Sequence, residues 1–210
     1  MNVGNEGLLD RLIGVLDTGL RTVTSRGEVS NATKISDEEL SIQEQAKSAS
    51  LMRVNHTGEV CAQGLYEGQA LVSRSAPLRS ELLVAAEEER NHLLWCNQRL
   101  QELQSGPSML VPVFYGMSVC VGALVGLAGD RVSQGFVEAT EDQVCRHLDR
   151  HLDEMSSNDR RSRDILEKIR DDEKRHGQNA LDRGGVQFPH AVKSGMTLLS
   201  KIMTATTRRI

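Results

Sequence analysis

The sequence has few aromatic residues and few prolines, and this scarcity argues against a β-rich fold. Aromatic side chains make up 3% of the 210 residues, and there are four prolines. A β-sandwich or β-barrel needs short runs of β-branched and aromatic residues separated by turns. Charged residues amount to 26%, which is a poor match for a disordered chain or a polytopic membrane protein. We therefore expect an all-α protein.

Cysteine pairs and a surplus of basic residues are also missing. No two cysteines form a C-x-x-C pair, which argues against a zinc ribbon, a thioredoxin motif or a rubredoxin-type iron centre. We expect the cysteines to be small buried side chains in a reducing compartment; they are Cys61, Cys96, Cys120 and Cys145. The net charge of −4 argues against a broad nucleic-acid-binding surface, so no nucleic-acid partner is expected.

Residues 1–35 are predicted to form a short amphipathic helix and a polar linker, ahead of one domain that covers residues 36–210. The N-terminal segment lacks the basic start and clean apolar run of a secretory signal, and it does not have the pattern of a mitochondrial transit peptide. Its apolar residues recur at helical spacing: Leu9, Ile13, Leu16, Leu20 and Val23. This helix either packs on the domain, which we favour, or lies on a membrane.

Start and stop signals divide the domain into helices. A capping box formed by Ser36 and Glu39 predicts the first start, and Gly184-Gly185 is typical of a helix end. The predicted helices cover about residues 37–73, 78–104, 131–155, 159–182 and 190–206. The last one is amphipathic and basic, so it is either a membrane-surface helix or an ordinary surface helix; Val192, Met196, Leu199 and Met203 share one face.

Residues 109–128 contain no charged side chain over 20 positions. This length is sufficient for a membrane span, although Pro112 and three glycines interrupt it. Three interpretations remain open: a transmembrane helix, a buried helix of a bundle, or a lipid-binding surface that dips into a membrane.

The most informative feature is a doubled E-x-x-H motif. Glu89 and His92 form the first copy, and Glu173 and His176 form the second. Residues i and i+3 lie on one face of a helix, so each pair can close on a single ion. In both cases the motif glutamate continues an apolar helical stripe, and a buried carboxylate without a partner would oppose folding. The pattern therefore favours a buried metal site over a solvated surface.

The helix ahead of each motif carries a further glutamate. Glu59 and Glu141 stand 30 and 32 residues before the motif glutamates. This order is the ligand arrangement of carboxylate-bridged di-iron four-helix bundles, in which four glutamates balance the charge of two ferrous ions. The ligand set does not distinguish iron from manganese. The predicted metal-binding and catalytic residues are Glu59, Glu89, His92, Glu141, Glu173 and His176.

Other acidic residues have a secondary or alternative role. Glu138 lies on nearly the same face as Glu141 and is the alternative ligand, although Glu141 continues the apolar stripe better. Glu88 and Asp172 each precede a motif glutamate by one residue. Ligating imidazoles usually donate their second N–H to a carboxylate, so we expect each of these two residues to orient the opposite histidine.

Three further histidines and one tyrosine have less certain roles. His147 is expected to contact a metal-ligating side chain without binding the metal itself. His151 is expected to be exposed. His56 precedes Glu59 by three residues and is a further candidate ligand that the paired pattern does not need. Tyr66 either lines a substrate path or is part of the core.

Several of these motifs together resemble the demethoxyubiquinone hydroxylase family. The sequence RVNHTGE at residues 53–59 is similar to the family signature R-x-[ND]-H-x-G-E, and VEATE at 137–141 and DEKRHG at 172–177 are similar to its later motifs. The first E-x-x-H matches as well. The resemblance extends from about residue 45 to the C-terminus, and the first 35 residues fall outside it.

This resemblance implies a ferritin-like four-helix bundle with additional terminal helices. It implies a di-iron monooxygenase that uses two Fe²⁺ ions and O₂ to hydroxylate the ring of a prenylated demethoxyubiquinol in ubiquinone biosynthesis. The six predicted ligands would hold the iron, and His147 would lie behind them. The family also implies a peripheral protein on the cytoplasmic side of the inner membrane, a homo-oligomer, and contact with other ubiquinone-biosynthesis proteins.

Two other functions remain open. A ferroxidase or iron-storage protein would use the same ligands, and a quinone- or lipid-binding helical protein would bind no metal. The apolar segment 109–128 favours the hydroxylase, because a prenylated quinol dissolves in the bilayer and its enzyme must reach lipid. No G-x-G-x-x-G fingerprint is present, so the reducing electrons would come from outside or through the quinol itself.

Overall fold

The chain forms seven α-helices and no strands within residues 7–24 and 39–208, the ranges that the computed structural model describes. This confirms the all-α prediction. The helices are α1 (Leu8–Thr24), α2 (Ile42–Val72), α3 (Ala76–Glu102), α4 (Val111–Leu127), α5 (Asp130–Glu154), α6 (Arg160–Asp182) and α7 (His190–Thr207). The predicted linker and the predicted domain boundary after residue 35 lie outside the described residues.

The first long helix begins about five residues later than predicted. Ser41, not Ser36, is its N-cap: the Ser41 side chain accepts the N–H of Glu44, and the Glu44 carboxylate accepts the N–H of Ser41 at 2.9 Å. The sequence contains two S-x-x-E patterns in succession here, and the second one closes the capping box. Ser36 itself lies outside the described residues. At the other end of the bundle, Gly184 adopts a φ of 86° and ends α6 as predicted.

Helices α2, α3, α5 and α6 form the bundle, and α4 connects its two halves. Two apolar clusters fill its interior, and each takes side chains from all four helices. The first includes Leu51, Met52, Cys96, Leu100, Leu148, Leu152, Leu166 and Ile169. The second includes Tyr66, Ala70, Leu82, Ala86, Val137 and Ala180. Along every helix the predicted metal ligands lie between these clusters, so the candidate site is a polar layer in the middle of the bundle.

Helix α4 packs closely against α2 through glycines. A Cβ on Gly122 would lie 2.2 Å from the Leu65 carbonyl oxygen, and one on Gly68 would lie 2.1 Å from the Val119 carbonyl oxygen. The two backbones are therefore in direct contact, which only glycine permits. Only one face of α4 is buried in this way. The interpretation of residues 109–128 as a buried helix of the bundle therefore holds for one face of α4 only.

The opposite face of α4 is apolar and exposed. Its exposed side chains are Val113, Met117, Val121, Leu124 and Leu127, and Leu124 is 69% exposed. Among the helices in the described ranges, none combines the length and the apolar character that crossing a bilayer requires. The lipid-binding interpretation of residues 109–128 stays a prediction.

Helix α1 packs on the bundle with its polar face rather than its apolar stripe. Leu9, Ile13, Leu16 and Leu20, which were predicted to pack, are all exposed, and Leu16 is 68% exposed. The contacts come from the other side of the helix. Thr22 donates a hydrogen bond to Gln63 of α2 at 3.0 Å, and Tyr115 of α4 fits against Gly19 with its hydroxyl 3.0 Å from the Val15 carbonyl oxygen. The polar partners on α2 and α4 select this face.

Helix α7 also packs through polar side chains. Lys193 forms an ion pair with Glu138 at 2.9 Å, and Thr197 donates to Gln143. Of the face predicted for this helix, Met196 and Met203 are half-buried, whereas Val192 and Leu199 are exposed. The apolar residues therefore do not form one packed stripe. Its role at a membrane surface stays a prediction.

The four cysteines lie within the described ranges and are all reduced. Cys96 and Cys145 are buried as expected, but Cys61 is half-buried and Cys120 is exposed. The expectation of four buried cysteines is wrong for Cys120 because it lies on a part of α4 that does not face α2.

The contact between α2 and α4 leads to a stability prediction. Gly122→Ala forces the helices apart and should lower the free energy of unfolding by about 1–3 kcal/mol, as overpacking does in a tight contact. Gly116→Ala on the same helix is the control: a Cβ there meets nothing within 4 Å, so the variant should be as stable as the wild type or more so. Thermal unfolding followed by circular dichroism measures both, and equal behaviour of the two variants would contradict the backbone contact.

Candidate metal centre

The structure brings all six predicted ligands together in the middle of the bundle. Within the described residues, two groups have candidate ligand atoms that all lie within 4.8 Å of one another. The first group is Glu59, Glu89, His92 and Glu173, and the second is Glu89, Glu141, Glu173 and His176. Glu89 and Glu173 belong to both groups. A carboxylate has two oxygens, so these two residues are placed to contact two neighbouring ions.

Both histidines direct Nδ1 into the layer and Nε2 out of it. Nδ1 of His92 lies 3.3 Å from Glu173 and 3.5 Å from Glu89, and Nδ1 of His176 lies 3.2 Å from Glu173 and 3.3 Å from Glu89. In metal sites the ring nitrogen that does not bind the ion usually donates to a carboxylate. Nδ1 is therefore the nitrogen available to an ion here.

The outward nitrogens are fixed by a reciprocal pair of hydrogen bonds between α3 and α6. Nε2 of His92 on α3 contacts Asp172 of α6 at 3.1 Å. Nε2 of His176 on α6 contacts Glu88 of α3 at 2.5 Å. This confirms the prediction that Glu88 and Asp172 each orient the histidine of the opposite helix. Asp172 and Glu88 also contact Arg175, which holds both carboxylates at the edge of the site.

Several polar atoms of the layer lack a hydrogen-bond partner among the described residues. They are both carboxylate oxygens of Glu89, one oxygen each of Glu141 and Glu173, and Nδ1 of His92. Buried polar atoms are almost always paired, so this many orphaned acceptors in one place is the pattern of a cation site. Four carboxylates, two imidazoles and no thiolate form a donor set that suits iron or manganese.

Titration behaviour reflects the same crowding of negative charge. Burial, together with the charges of Glu89 and Glu173, raises the pKa of Glu59 to about 8. Burial and the same two charges raise the pKa of Glu141 well above its ordinary value. The layer thus resists full ionisation unless positive charge enters it.

Tyr66 contacts the layer directly, which sequence reasoning did not predict. Its hydroxyl donates to Oε1 of Glu141 at 2.6 Å, and its ring stands edge-on to His176. This hydrogen bond fixes one Glu141 oxygen and leaves the other directed at the site. A signal was present in the spacing, because Tyr66 lies two helical turns after Glu59 on the same helix, but only the structure shows the contact across to α5.

The alternative ligand Glu138 is not part of the layer. It points away from the layer and pairs with Lys193 of α7, whereas Glu141 is buried among the other ligands. His56 is also outside both groups: it is buried, and burial lowers its pKa to about 4.

The expectation that His151 is exposed is wrong. Its side chain is 1% exposed, and its Nδ1 contacts the Asn55 amide oxygen at 2.9 Å. His147 lies against the His151 ring and contacts Arg150, and the contacts described for it do not reach the six ligands. The contact with Asn55 places His151 against α2, which accounts for its burial.

Comparisons with known proteins show the family to which this chain is similar. The family model described as ubiquinone biosynthesis protein COQ7 matches residues 46–207. Proteins named 3-demethoxyubiquinol 3-hydroxylase from Ectopseudomonas mendocina and Pseudomonas aeruginosa are 52% identical to this chain over 206 residues, which is 96% of each chain. The relative of the same name from Azotobacter vinelandii is 51% identical over 205 residues, 96% of this chain and 95% of its own.

A solved structure with a similar fold is a dodecameric thioferritin, the bacterioferritin-related protein from Bacteroides fragilis. It has a TM-score of 0.51 and 18% identity, and the match covers 68% of this chain and 85% of that one. At this level of identity the likeness shows the fold alone. It confirms the prediction of a ferritin-like bundle.

The reciprocal hydrogen bonds lead to a prediction for metal affinity. Asp172→Asn weakens the acceptor for His92 Nε2 and should lower Fe²⁺ affinity by about 10- to 100-fold, as loss of an outer partner typically does. Asp171→Asn is the matched control, because this neighbouring carboxylate is 71% exposed and contacts only Arg170 in the described structure. Anaerobic calorimetric titration with Fe²⁺ measures both, and equal affinities would show that Asp172 does not position His92.

Proposed function

Because the chain belongs to the ubiquinone biosynthesis protein COQ7 family, we propose that it is a di-iron monooxygenase that hydroxylates the ring of a prenylated demethoxyubiquinol. Relatives named for this reaction match nearly the whole chain. One observation carries the chemistry: six ligands from four helices converge in one buried layer, and two of the glutamates belong to both ligand groups.

The chain's own residues hold and shield the reacting centre. Glu59 and His92 would hold one ion, Glu141 and His176 the second, and Glu89 and Glu173 would contact both. Two bound iron ions would supply electrons for the activation of O₂, with one oxygen entering the ring and the other leaving as water. The apolar clusters on either side of the layer exclude bulk water, which protects a reactive centre from side reactions.

The positioning contacts make the ligands a preformed set. Asp172 and Glu88 hold the two imidazoles so that Nδ1 faces the centre. The Tyr66 hydroxyl donates a hydrogen bond to one oxygen of Glu141 and so fixes its position. Because these partners are fixed by helix packing, little reorganisation is needed when metal binds.

The comparisons favour this function over the two alternatives. The ferritin neighbour shares the fold at 18% identity, whereas the hydroxylases share 52% of their residues with this chain. A lipid- or quinone-binding protein without metal would leave orphaned carboxylates in its core, which costs several kcal/mol per ion.

We further propose that the protein lies on a membrane surface. The exposed apolar faces of α1 and α4 belong to helices that touch each other where Tyr115 meets Gly19. Exposed apolar faces of this kind mark interaction sites. A location on the cytoplasmic side of the inner membrane agrees with a quinol substrate that dissolves in lipid. Assembly into a homo-oligomer and contact with other ubiquinone-biosynthesis proteins stay predictions.

The function is tested by the cellular quinone profile. In a bacterial strain that lacks its own hydroxylase, the wild-type gene should restore ubiquinone, whereas Glu173→Ala should leave demethoxyubiquinone accumulated, because the variant removes a ligand shared by both ions. Glu167→Ala, an exposed glutamate on the same helix, is the control and should complement fully. Mass spectrometry of lipid extracts measures the ratio. Normal ubiquinone with Glu173→Ala would reject the assignment.

Membrane binding is tested with vesicles of phosphatidylethanolamine and phosphatidylglycerol. The double variant Leu16→Glu/Leu124→Glu places charge on both exposed apolar faces and should reduce co-flotation with vesicles by about tenfold or more, since burying a charge in lipid costs a few kcal/mol. Ser157→Glu adds a charge to the exposed loop between α5 and α6 and should bind like the wild type. Equal flotation of the double variant and the control would contradict the proposed surface.

A further inference from the structure

We infer that the cavity between α1, α2 and α3 binds the ring of the prenylated quinol, and that Glu67 and Gln63 are the polar groups that hold it. This inference rests on the proposed function and deepens it by naming where the substrate binds. The cavity has a volume of about 560 Å³, within the range of small-molecule sites.

The cavity exists because three small residues face one another across the helices. Gly14 of α1, Ala70 of α2 and Ala86 of α3 all line it. A Cβ on Gly14 would meet nothing within 4 Å, so this wall is open space. Leucines or isoleucines at these positions would have closed the gap between α1 and the bundle.

The inner end of the cavity lies next to the metal-ligand layer. Gln63 follows Glu59 by one helical turn on α2, and Ala86 precedes Glu89 by three residues on α3. A ring in this cavity is thus separated from the ligands by about one turn of either helix.

The polar groups in the cavity suit a hydroquinone. Glu67 is 4% exposed and accepts hydrogen bonds from Gln63 at 3.1 Å and from Tyr115. Burial raises its pKa to about 7, so the site tolerates the carboxyl in either form. A phenolic O–H can donate to this carboxylate, and the Gln63 amide can donate to a ring oxygen. Apolar residues such as Ala70, Leu71 and Ala86 form part of the remaining lining. The lining also includes charged side chains: Asp10, Arg11, Asp17, Arg79 and Glu87.

The position of α1 explains how a lipid-soluble molecule reaches this cavity. The helix forms the outer wall of the cavity with Ile13, Gly14 and Thr18, and it exposes its leucines on the other side. A prenyl tail that leaves the cavity past α1 therefore enters the proposed membrane surface directly.

A second cavity beside the metal layer is less suitable. It has a volume of about 220 Å³ and is lined by Tyr66 and His176 as well as by Glu81, Arg175 and Arg183. This volume is below the range of about 300–1,000 Å³ that is usual for small-molecule sites. The second cavity provides the internal control for the test, because Ala85 lines it while the adjacent Ala86 lines the first cavity.

The test measures binding of ubiquinol with two isoprene units to the metal-free full-length protein by anaerobic calorimetry. Ala86→Leu fills the first cavity and should weaken binding by at least about tenfold. Ala85→Leu fills the second cavity and should change affinity less than about twofold. Glu67→Gln should weaken binding through loss of the strong acceptor, with no change in the iron content of the loaded protein.

Folding of each variant is checked by circular dichroism and by its capacity for Fe²⁺. If Ala86→Leu does not fold, binding is measured with Gly14→Leu instead. The new leucine side chain fills the same cavity from α1 and does not disturb the core. Loss of binding with Ala85→Leu but not with Ala86→Leu or Gly14→Leu would overturn the inference, as would absence of binding to the wild type. The quinone profile is independent of this measurement, so the cavity assignment can fail while the proposed function stands.

Discussion

The interaction on which the rest of the structure depends is the mutual approach of four carboxylates and two imidazoles inside an apolar bundle. Such a layer is costly without positive charge, because buried ionised groups require a partner. Several contacts nevertheless fix the side chains of this layer in place. Both histidines are anchored from outside, Tyr66 holds Glu141, and two apolar clusters seal the layer above and below. The layer is therefore an arrangement that bound cations would stabilise.

Helix α2 connects this layer to everything else. It provides the ligand Glu59 and the supporting Tyr66, and its Gly68 allows α4 to approach to backbone contact. Its Gln63 accepts a hydrogen bond from Thr22 of α1, and its Glu67 accepts one from Tyr115 of α4, which packs against α1. One helix of 31 residues thus positions the metal layer, the apolar helix and the N-terminal helix relative to one another. This explains why its sequence shows no simple amphipathic pattern: almost every side of it has a different neighbour.

The sequence predicts the features that follow from helical period and repeated motifs. It does not predict which face of a helix is buried when that depends on side chains of another helix. The doubled E-x-x-H and its two preceding glutamates were sufficient to select the six residues that meet in the layer, because their spacing is itself the geometry of a bundle. The roles of Glu88 and Asp172 followed from the same spacing. The packed face of α1 did not, since polar partners on α2 and α4 outweigh its leucine stripe. Likewise the burial of His151 depends on its contact with Asn55 of α2, and no period within α5 encodes this.

The exposed apolar faces and the buried layer both follow from the chemistry of the proposed substrate. A substrate that dissolves in lipid and a reaction centre that excludes water need a path between them that is never fully aqueous. In this chain the leucines of α1 face outward, and its polar side closes a cavity that ends one turn from Glu59 and Glu89. Had the leucines packed inward, as their spacing suggested, α1 would have sealed the bundle as an ordinary core helix and filled the space between Gly14 and Ala86. The polar docking of α1 therefore keeps its leucines on the outside, where the proposed membrane surface would contact them.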